Sequence, residues 1–150
     1  MIAKDTAEMV YLATPADANT IGTVFGGRIM ELMDMVAAIC ARRHSQRRVA
    51  TLAVVDAKFL RPLHVGDVIN IYAKVNRTFN TSMEVGLKVV GEDTYRREQF
   101  HAASAYFIIV TLDDENKPVK MPEFVPRTDV EKRRWQEAGE RRKRWGIKKE

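Results

Sequence analysis

Two hydrophobic periods run along the chain, and the switch between them divides it. Residues 9–13, MVYLA, form a short apolar run that predicts an edge strand, closed by the turn-rich stretch TPADAN at residues 14–19. From Arg28 the spacing becomes helical. Ile29, Met30, Leu32, Met33, Met35, Val36, Ala37, Ala38, Ile39, Cys40 and Ala41 leave almost no polar face, while Arg42, Arg43 and His44 suit the negative end of the helix dipole. A helix that is apolar nearly all round is predicted to be buried. Beyond it the period falls to two. Residues 49–60, 67–76, 82–92 and 99–112 read as four long strands, separated by turn residues such as Pro62, Gly66 and Asp67. Connections this short predict antiparallel neighbours. The pattern as a whole predicts an α+β domain, a curved antiparallel sheet wrapped round one long central helix.

Residues 114–126 are polar and proline-punctuated, so the domain is expected to span residues 1–126. Residues 127–150 then form a charged extension, read as a helix over residues 128–149 with Thr128 as N-cap and Glu131 three residues on. Charge divides the same way. The extension holds 10 Lys and Arg against 5 Asp and Glu, and the other 126 residues hold 15 of each, so the net charge of +5 belongs to the extension. Its cations are mixed with Glu131, Glu137 and Glu140 and lack interleaved aromatics, which argues against nucleic acid and membrane partners. Packing of Trp135 and Trp145 on a neighbouring protomer is the expected role.

The longest apolar run, residues 35–41, is too short to span a bilayer, and the first ten residues have no signal-peptide pattern. A cytoplasmic location is therefore expected. The single cysteine, Cys40, excludes an internal disulfide and reads as a small buried hydrophobe. With three scattered histidines no metal ligand set is visible.

Asp34 is the residue that packing alone does not explain. Its helical neighbours Met30, Met33, Met35, Ala37 and Ala38 are apolar, and burying an unpaired carboxylate costs several kcal/mol. Such a group is expected either to pair with a buried partner or to line a cavity as base or nucleophile. Gly26 and Gly27, just before the helix, permit close approach of a ligand to free backbone N–H groups at the positive end of the dipole. A carbonyl docked there is polarised and its oxyanion stabilised. Asp34 lies about 10 Å further along by helix rise, its side chain leaning back toward that end.

The stretch DANTIGTVFGGRIMELMDMVAAICARRH resembles the signature of the hotdog-fold acyl-CoA thioesterases, the YciA-like and brain-type acyl-CoA hydrolase group. The stretches VATLAVVDAKFLRPLHVGDVI and NTSMEVGLKVV are similar to the family's later strands. The resemblance runs over residues 9–121. It implies hydrolysis of acyl-CoA to free CoA and a carboxylic acid without metal or organic cofactor. It also implies pairing of protomers with further assembly as a trimer of dimers, and a site shared across the pair by Asn19 and Asp34. Asp34 is then general base or nucleophile, Asn19 of the partner protomer positions water or thioester, and the Gly27 N–H meets the oxyanion.

For CoA itself, Thr51, Thr81 and Ser82 offer hydroxyls, and Lys58, Arg61 and Arg77 offer cations for phosphate. Thr81, Ser82 and Met83 together match a family segment. Asp56 is expected to pair with Lys58, and His44, His64 and His101 are read as structural or exposed. Two rival readings share the fold: a hydroxyacyl-thioester dehydratase, which ordinarily uses a histidine not found before this helix, and a non-catalytic acyl-CoA-binding module, which need not keep Asn19 and Asp34.

Overall fold

The computed structural model describes residues 3–146. Strand β1 (Thr6–Leu12) leads through a single 3-10 turn (Pro15–Asp17) to helix α1 (Gly26–Ser45), and β2 (Arg48–Phe59), β3 (Val68–Thr78), β4 (Ser82–Asp93) and β5 (Glu98–Leu112) follow. Helix α2 (Asp129–Arg144) ends the described chain. All five strands pair antiparallel in the order β1-β3-β4-β5-β2. Every strand touches α1, so the sheet curls round the helix as the hotdog resemblance implies.

Alternation along the strands fills the helix side of the sheet. Ile69, Ile71, Ala73 and Val75 of β3 share a core with Val85, Leu87 and Val89 of β4 and with Ala105, Phe107 and Ile109 of β5. Leu32, Met33, Val36, Ala37, Cys40 and Ala41 of α1 complete that core. Burial pushes the Cys40 thiol up to about 12, as suits an inert packing group.

Expectations for α1, β2, α2 and Asp56 need correction. First, α1 starts at Gly26 rather than Arg28 and is buried on one side only: Glu31, Asp34, Met35, Ile39 and Arg42 form an exposed strip. The five strands cover one side of the helix, and the strip lies along the open edge beside β2. Second, β2 is not a neighbour of β3 but the opposite edge of the sheet. The connection over residues 60–67 is held to other elements instead: Leu60 and Arg61 donate to Ala102 O, Val24 donates to Leu63 O, and Ala13 donates to Asp67 O. These bonds carry the chain across the end of the sheet, with Gly66 supplying a left-handed turn at φ 92°.

Third, α2 lies across the outer face of its own sheet, with Trp135 stacked on Arg77 of β3. Its N-cap is as expected, since Glu131 N donates to Thr128 Oγ1 and Thr128 N to Glu131 Oε1, both at 3.1 Å. The expected helix at residues 147–149 lies outside the described residues. What holds α2 down is mostly arginine. Arg141 makes a two-pronged contact with Glu84 of β4 (2.7 and 3.1 Å) and stacks on Tyr106 at 3.5 Å; Glu84, 1% exposed, also accepts from Asn76. Arg142 donates to Ser82 Oγ at 3.1 Å, and Arg77 of β3 stacks 3.5 Å from the Trp135 ring. Trp145 is half exposed. Asp56 pairs with Arg144 at 2.7 Å, not with Lys58, because β2 bulges there and Asp56 takes a left-handed φ of 50°.

Candidate active site

Asp34 sits midway along α1 on the exposed strip, where edge strand β2 runs back beside the helix. Thr51 of β2 donates its hydroxyl to Asp34 Oδ1 at 2.5 Å. The expectation of a carboxylate buried in a cavity wall is therefore corrected for the single chain: both side chains are exposed, and the chain's own packing does not desolvate them. Thr51, expected as a CoA-binding hydroxyl, is the hydrogen-bond partner of the carboxylate.

The start of α1 is chemically open. Its N-cap residue is Phe25, which has no side-chain acceptor for the first turn, and Arg28 N and Ile29 N turn back to Phe25 O. The N–H groups of Gly26 and Gly27 are thus among those that a helix leaves without intrahelical partners. A Cβ at Gly26 would touch the Phe59 ring at 3.5 Å, whereas a Cβ at Gly27 would meet nothing within 4 Å. The chain itself has no steric need for glycine at position 27. Gly27 and Asp34 are seven residues apart, two turns on one side of the helix, with Glu31 between them.

Asn19 lies in the loop before this helix, and its side chain shapes that loop. Oδ1 accepts from Ile21 N and Thr23 N at 3.1 Å each, and Nδ2 donates to Thr23 Oγ1 at 2.6 Å. Among the described residues no hydrogen bond joins Asn19 to Asp34 of the same chain. Asp17 anchors the same loop, a role the sequence reading missed. Its carboxylate accepts from Thr14 N (2.7 Å), Thr14 Oγ1, Tyr11 and Arg28 Nε (2.9 Å), and its carbonyl accepts from Phe25 N. The visible signal was Thr14-x-x-Asp17, a capping-box spacing.

The expected substrate-binding residues scatter. Lys58 is exposed on β2 past its bulge, Arg61 lies 4.4 Å over the Phe100 ring, and Arg77 is held by Trp135 and Phe79. Ser82 is buried beneath α2 with its hydroxyl on Arg142, and Met83 is a core residue at 0% exposure. The face of β4 that holds Ser82 is covered by α2, and Met83 lies on the opposite, core side of the strand. Thr81 Oγ1 is buried without a partner among the described residues. None of these six is brought beside Asp34.

Residues 21–97, which contain the whole helix and the strand carrying Thr51, match the family model described as the thioesterase superfamily. The chain belongs to the thioesterase superfamily. A relative named acyl-CoA thioester hydrolase YciA, from Salmonella typhimurium, is 39% identical over 116 residues, covering 74% of this chain and 86% of that one. The rat protein named cytosolic acyl coenzyme A thioester hydrolase is 37% identical over 133 residues, 87% of this chain but 35% of its own length. Among solved structures, the acyl-CoA hydrolase of Staphylococcus aureus, in complex with butyryl-CoA, CoA and CoA disulfide, matches with a TM-score of 0.87 and 33% identity over 96% of this chain and 90% of that one. That hydrolase has also been solved with an asparagine, an aspartate and a threonine each replaced by alanine. The asparagine precedes the aspartate by fifteen residues and the threonine follows it by seventeen. Asn19, Asp34 and Thr51 of this superfamily member have the same spacing. Hexameric thioesterases, including one from Yersinia pestis, are further structural neighbours.

Proposed function

We propose that this thioesterase-superfamily chain hydrolyses acyl-CoA to CoA and a carboxylic acid, with Asp34 as the reacting carboxylate. The observation that carries the reading is the Thr51–Asp34 hydrogen bond, placed two turns from a helix start whose Gly27 has open space above it. The thioester carbonyl docks at the Gly27 N–H, where the helix dipole favours the developing oxyanion. Asp34 takes a proton from a water molecule, the oxygen of that water bonds to the carbonyl carbon, and a tetrahedral oxyanion forms. Collapse of that intermediate breaks the C–S bond, and the departing CoA thiolate recovers the proton from Asp34. Carboxylate and water suffice for this sequence, and it draws on neither metal nor organic cofactor.

The active form is an assembly. Met35 and Ile39 on the open strip of α1, with Leu52 and Phe59 of the edge strand beside it, are apolar and at least 38% exposed in the single chain. A second protomer placed on this face desolvates Asp34 and brings its own Asn19 loop toward it. The hexameric neighbours support further assembly as a trimer of dimers. A cytosolic site of action is supported by the name of the rat relative. Among the described residues no helix is long and apolar enough to cross a membrane. The dehydratase reading gains nothing from the geometry: His44 Nε2 lies 2.7 Å from Pro122 O, His101 Nε2 lies 3.1 Å from Ala103 O, and His64 is in the residue 60–67 connection.

Release of free thiol from acyl-CoA tests the reading. Asp34→Ala is expected to lower kcat by about 10²–10⁴-fold with the fold intact, the range for a lost general base. Mixing Asp34→Ala with Asn19→Ala protein is expected to restore part of the activity, because mixed pairs contain one site with both residues. A folded Asp34→Ala protein as fast as wild type overturns the assignment.

A further inference from the structure

In the reaction proposed above, a thioester lies against α1 between Gly27 and Asp34, so a side chain standing between those two residues meets it. That side chain is Glu31, about 6 Å beyond Gly27 and about 4.5 Å before Asp34 by helix rise. Its carboxylate is 62% exposed, on the same open strip as Asp34. The fold has little use for it there. Glu31 pairs with Arg28, three residues earlier, and an exposed ion pair at this spacing adds little to stability.

Arg28 holds that carboxylate in place and is itself engaged at every nitrogen. Nη1 donates to Glu31 Oε1 at 2.5 Å, Nε to the buried Asp17 carboxylate at 2.9 Å and Nη2 to the Tyr11 hydroxyl at 3.2 Å. The same guanidinium lies 5.1 Å from the centre of the Tyr11 ring. No other cation of α1 comes before Arg42. From Gly26 to Ala41 the helix therefore carries one cation, already held by Asp17 and Glu31, and two carboxylates, Glu31 and Asp34. An anionic group arriving beside Asp34 finds no free cation on this part of the helix and meets two like charges.

We infer that Glu31 is a specificity-determining residue: its carboxylate repels acyl groups that carry a negative charge close to the thioester, and so confines the chain to acyl-CoA whose acyl group is neutral. The inference rests on the acyl-CoA reading above and narrows its substrate class. Like charges repel more strongly as water leaves a site, and a second protomer closing over this face removes water. A contact that penalises the wrong substrate selects as well as one that favours the right one. Hydrolysis requires the carboxylate of Asp34, whereas no step of it calls for a second one at position 31. What the second carboxylate adds is discrimination by charge.

The test takes the straight-chain acyl-CoA, from two to sixteen carbons, that wild type cleaves fastest. It compares that substrate with its 2-carboxy derivative, which carries a carboxylate on the carbon next to the thioester. Thiol release by wild type is expected to give the neutral substrate the higher kcat/KM, by at least about tenfold. Glu31→Gln and Glu31→Ala remove the charge, and each is expected to lower the ratio of the two kcat/KM values about tenfold. The fall should come through a higher kcat/KM for the 2-carboxy substrate, a gain that a merely structural role for Glu31 does not produce. Glu140→Gln removes the same charge from an exposed position of α2, on the outer face of the sheet, and is expected to leave the ratio as in wild type. A ratio unchanged in both Glu31 variants overturns the assignment, as does an equal change with both substrates or an equal fall in Glu140→Gln. Failure of wild type to cleave any acyl-CoA of the series overturns instead the acyl-CoA reading on which it rests.

Discussion

Thr51 gives its hydroxyl hydrogen to Asp34 Oδ1 at 2.5 Å, across from an edge strand to the middle of the long helix. One carboxylate oxygen is thereby fixed in direction, and the other is left to face water or substrate. A hydrogen bond to a charged group is worth about 1.5–3 kcal/mol. Thr51→Val removes the donor and keeps the shape, so kcat is expected to fall about 10- to 100-fold on that basis. Thr51→Ser keeps the donor and is expected to retain most of the rate. Steady-state kinetics distinguish this role from substrate binding: a rise in KM at constant kcat in Thr51→Val means the hydroxyl serves CoA rather than Asp34.

Gly27 separates function from folding. A Cβ there meets no atom within 4 Å, and alanine in a helix is favoured over glycine by about 0.5–1 kcal/mol. Gly27→Ala is therefore expected to match or exceed wild type in thermal stability. A methyl group beside the N–H that receives the thioester carbonyl should nonetheless lower kcat/KM at least tenfold. Stability rising while activity stays at the wild-type level would show that no substrate atom approaches Gly27.

Helix and strands were legible because hydrophobic period reports local structure, and Asp34 stood out because a carboxylate breaks that period. What stayed hidden depended on contacts distant in sequence. Residues 60–67 read as an ordinary turn, since their anchors Ala13, Val24 and Ala102 belong to other parts of the chain. The open strip of α1 was invisible for a related reason. Met35 and Ile39 are as apolar as the core residues beside them, and only the sheet's limited width leaves them exposed. Arg141 and Arg142 looked like surface charge, yet Glu84 and Ser82, more than fifty residues earlier, bury them beneath α2. The Thr51–Asp34 hydrogen bond was not legible, because the sequence does not say which helix residue an edge strand will lie against.

The Glu84–Arg141 pair makes α2 part of the fold. Removing one member of a buried pair leaves a charge without compensation and typically costs about 3–5 kcal/mol, whereas replacing both with apolar groups is often near neutral. Glu84→Leu alone and Arg141→Met alone are each expected to lower unfolding free energy in urea by about that amount. The double variant is expected to recover much of the loss. Additive losses in the double variant would mean that the two charges are stabilised separately, by Asn76 and Tyr106, and not by each other.

Acid should loosen the chain first at Asp17 and Glu131. The Thr14 N–H chiefly, then the Tyr11 and Thr14 hydroxyls and Arg28, hold the Asp17 carboxyl at about 2 against the opposing effect of burial. The Thr128 N–H, followed by Lys74 at 3.0 Å, holds Glu131 at about 2 as well. Both folded values lie below the ordinary ones of 3.8 and 4.5, so the folded state favours the ionised form. The stability these groups contribute is complete above their unfolded values and is lost as pH falls toward 2. Asp17→Asn and Glu131→Gln are therefore each expected to be less stable than wild type at pH 7. The gap should close between about pH 4 and pH 2, since protonation then makes wild type resemble the variants. Urea midpoints measured across that range check the sign. Asp17→Asn has a second consequence, because Asp17 O and its carboxylate tie the Asn19 loop to Phe25 and Arg28 at the start of α1. Activity of that variant at pH 7 should fall along with its stability, whereas Glu131→Gln, at the α2 cap, should lose stability alone.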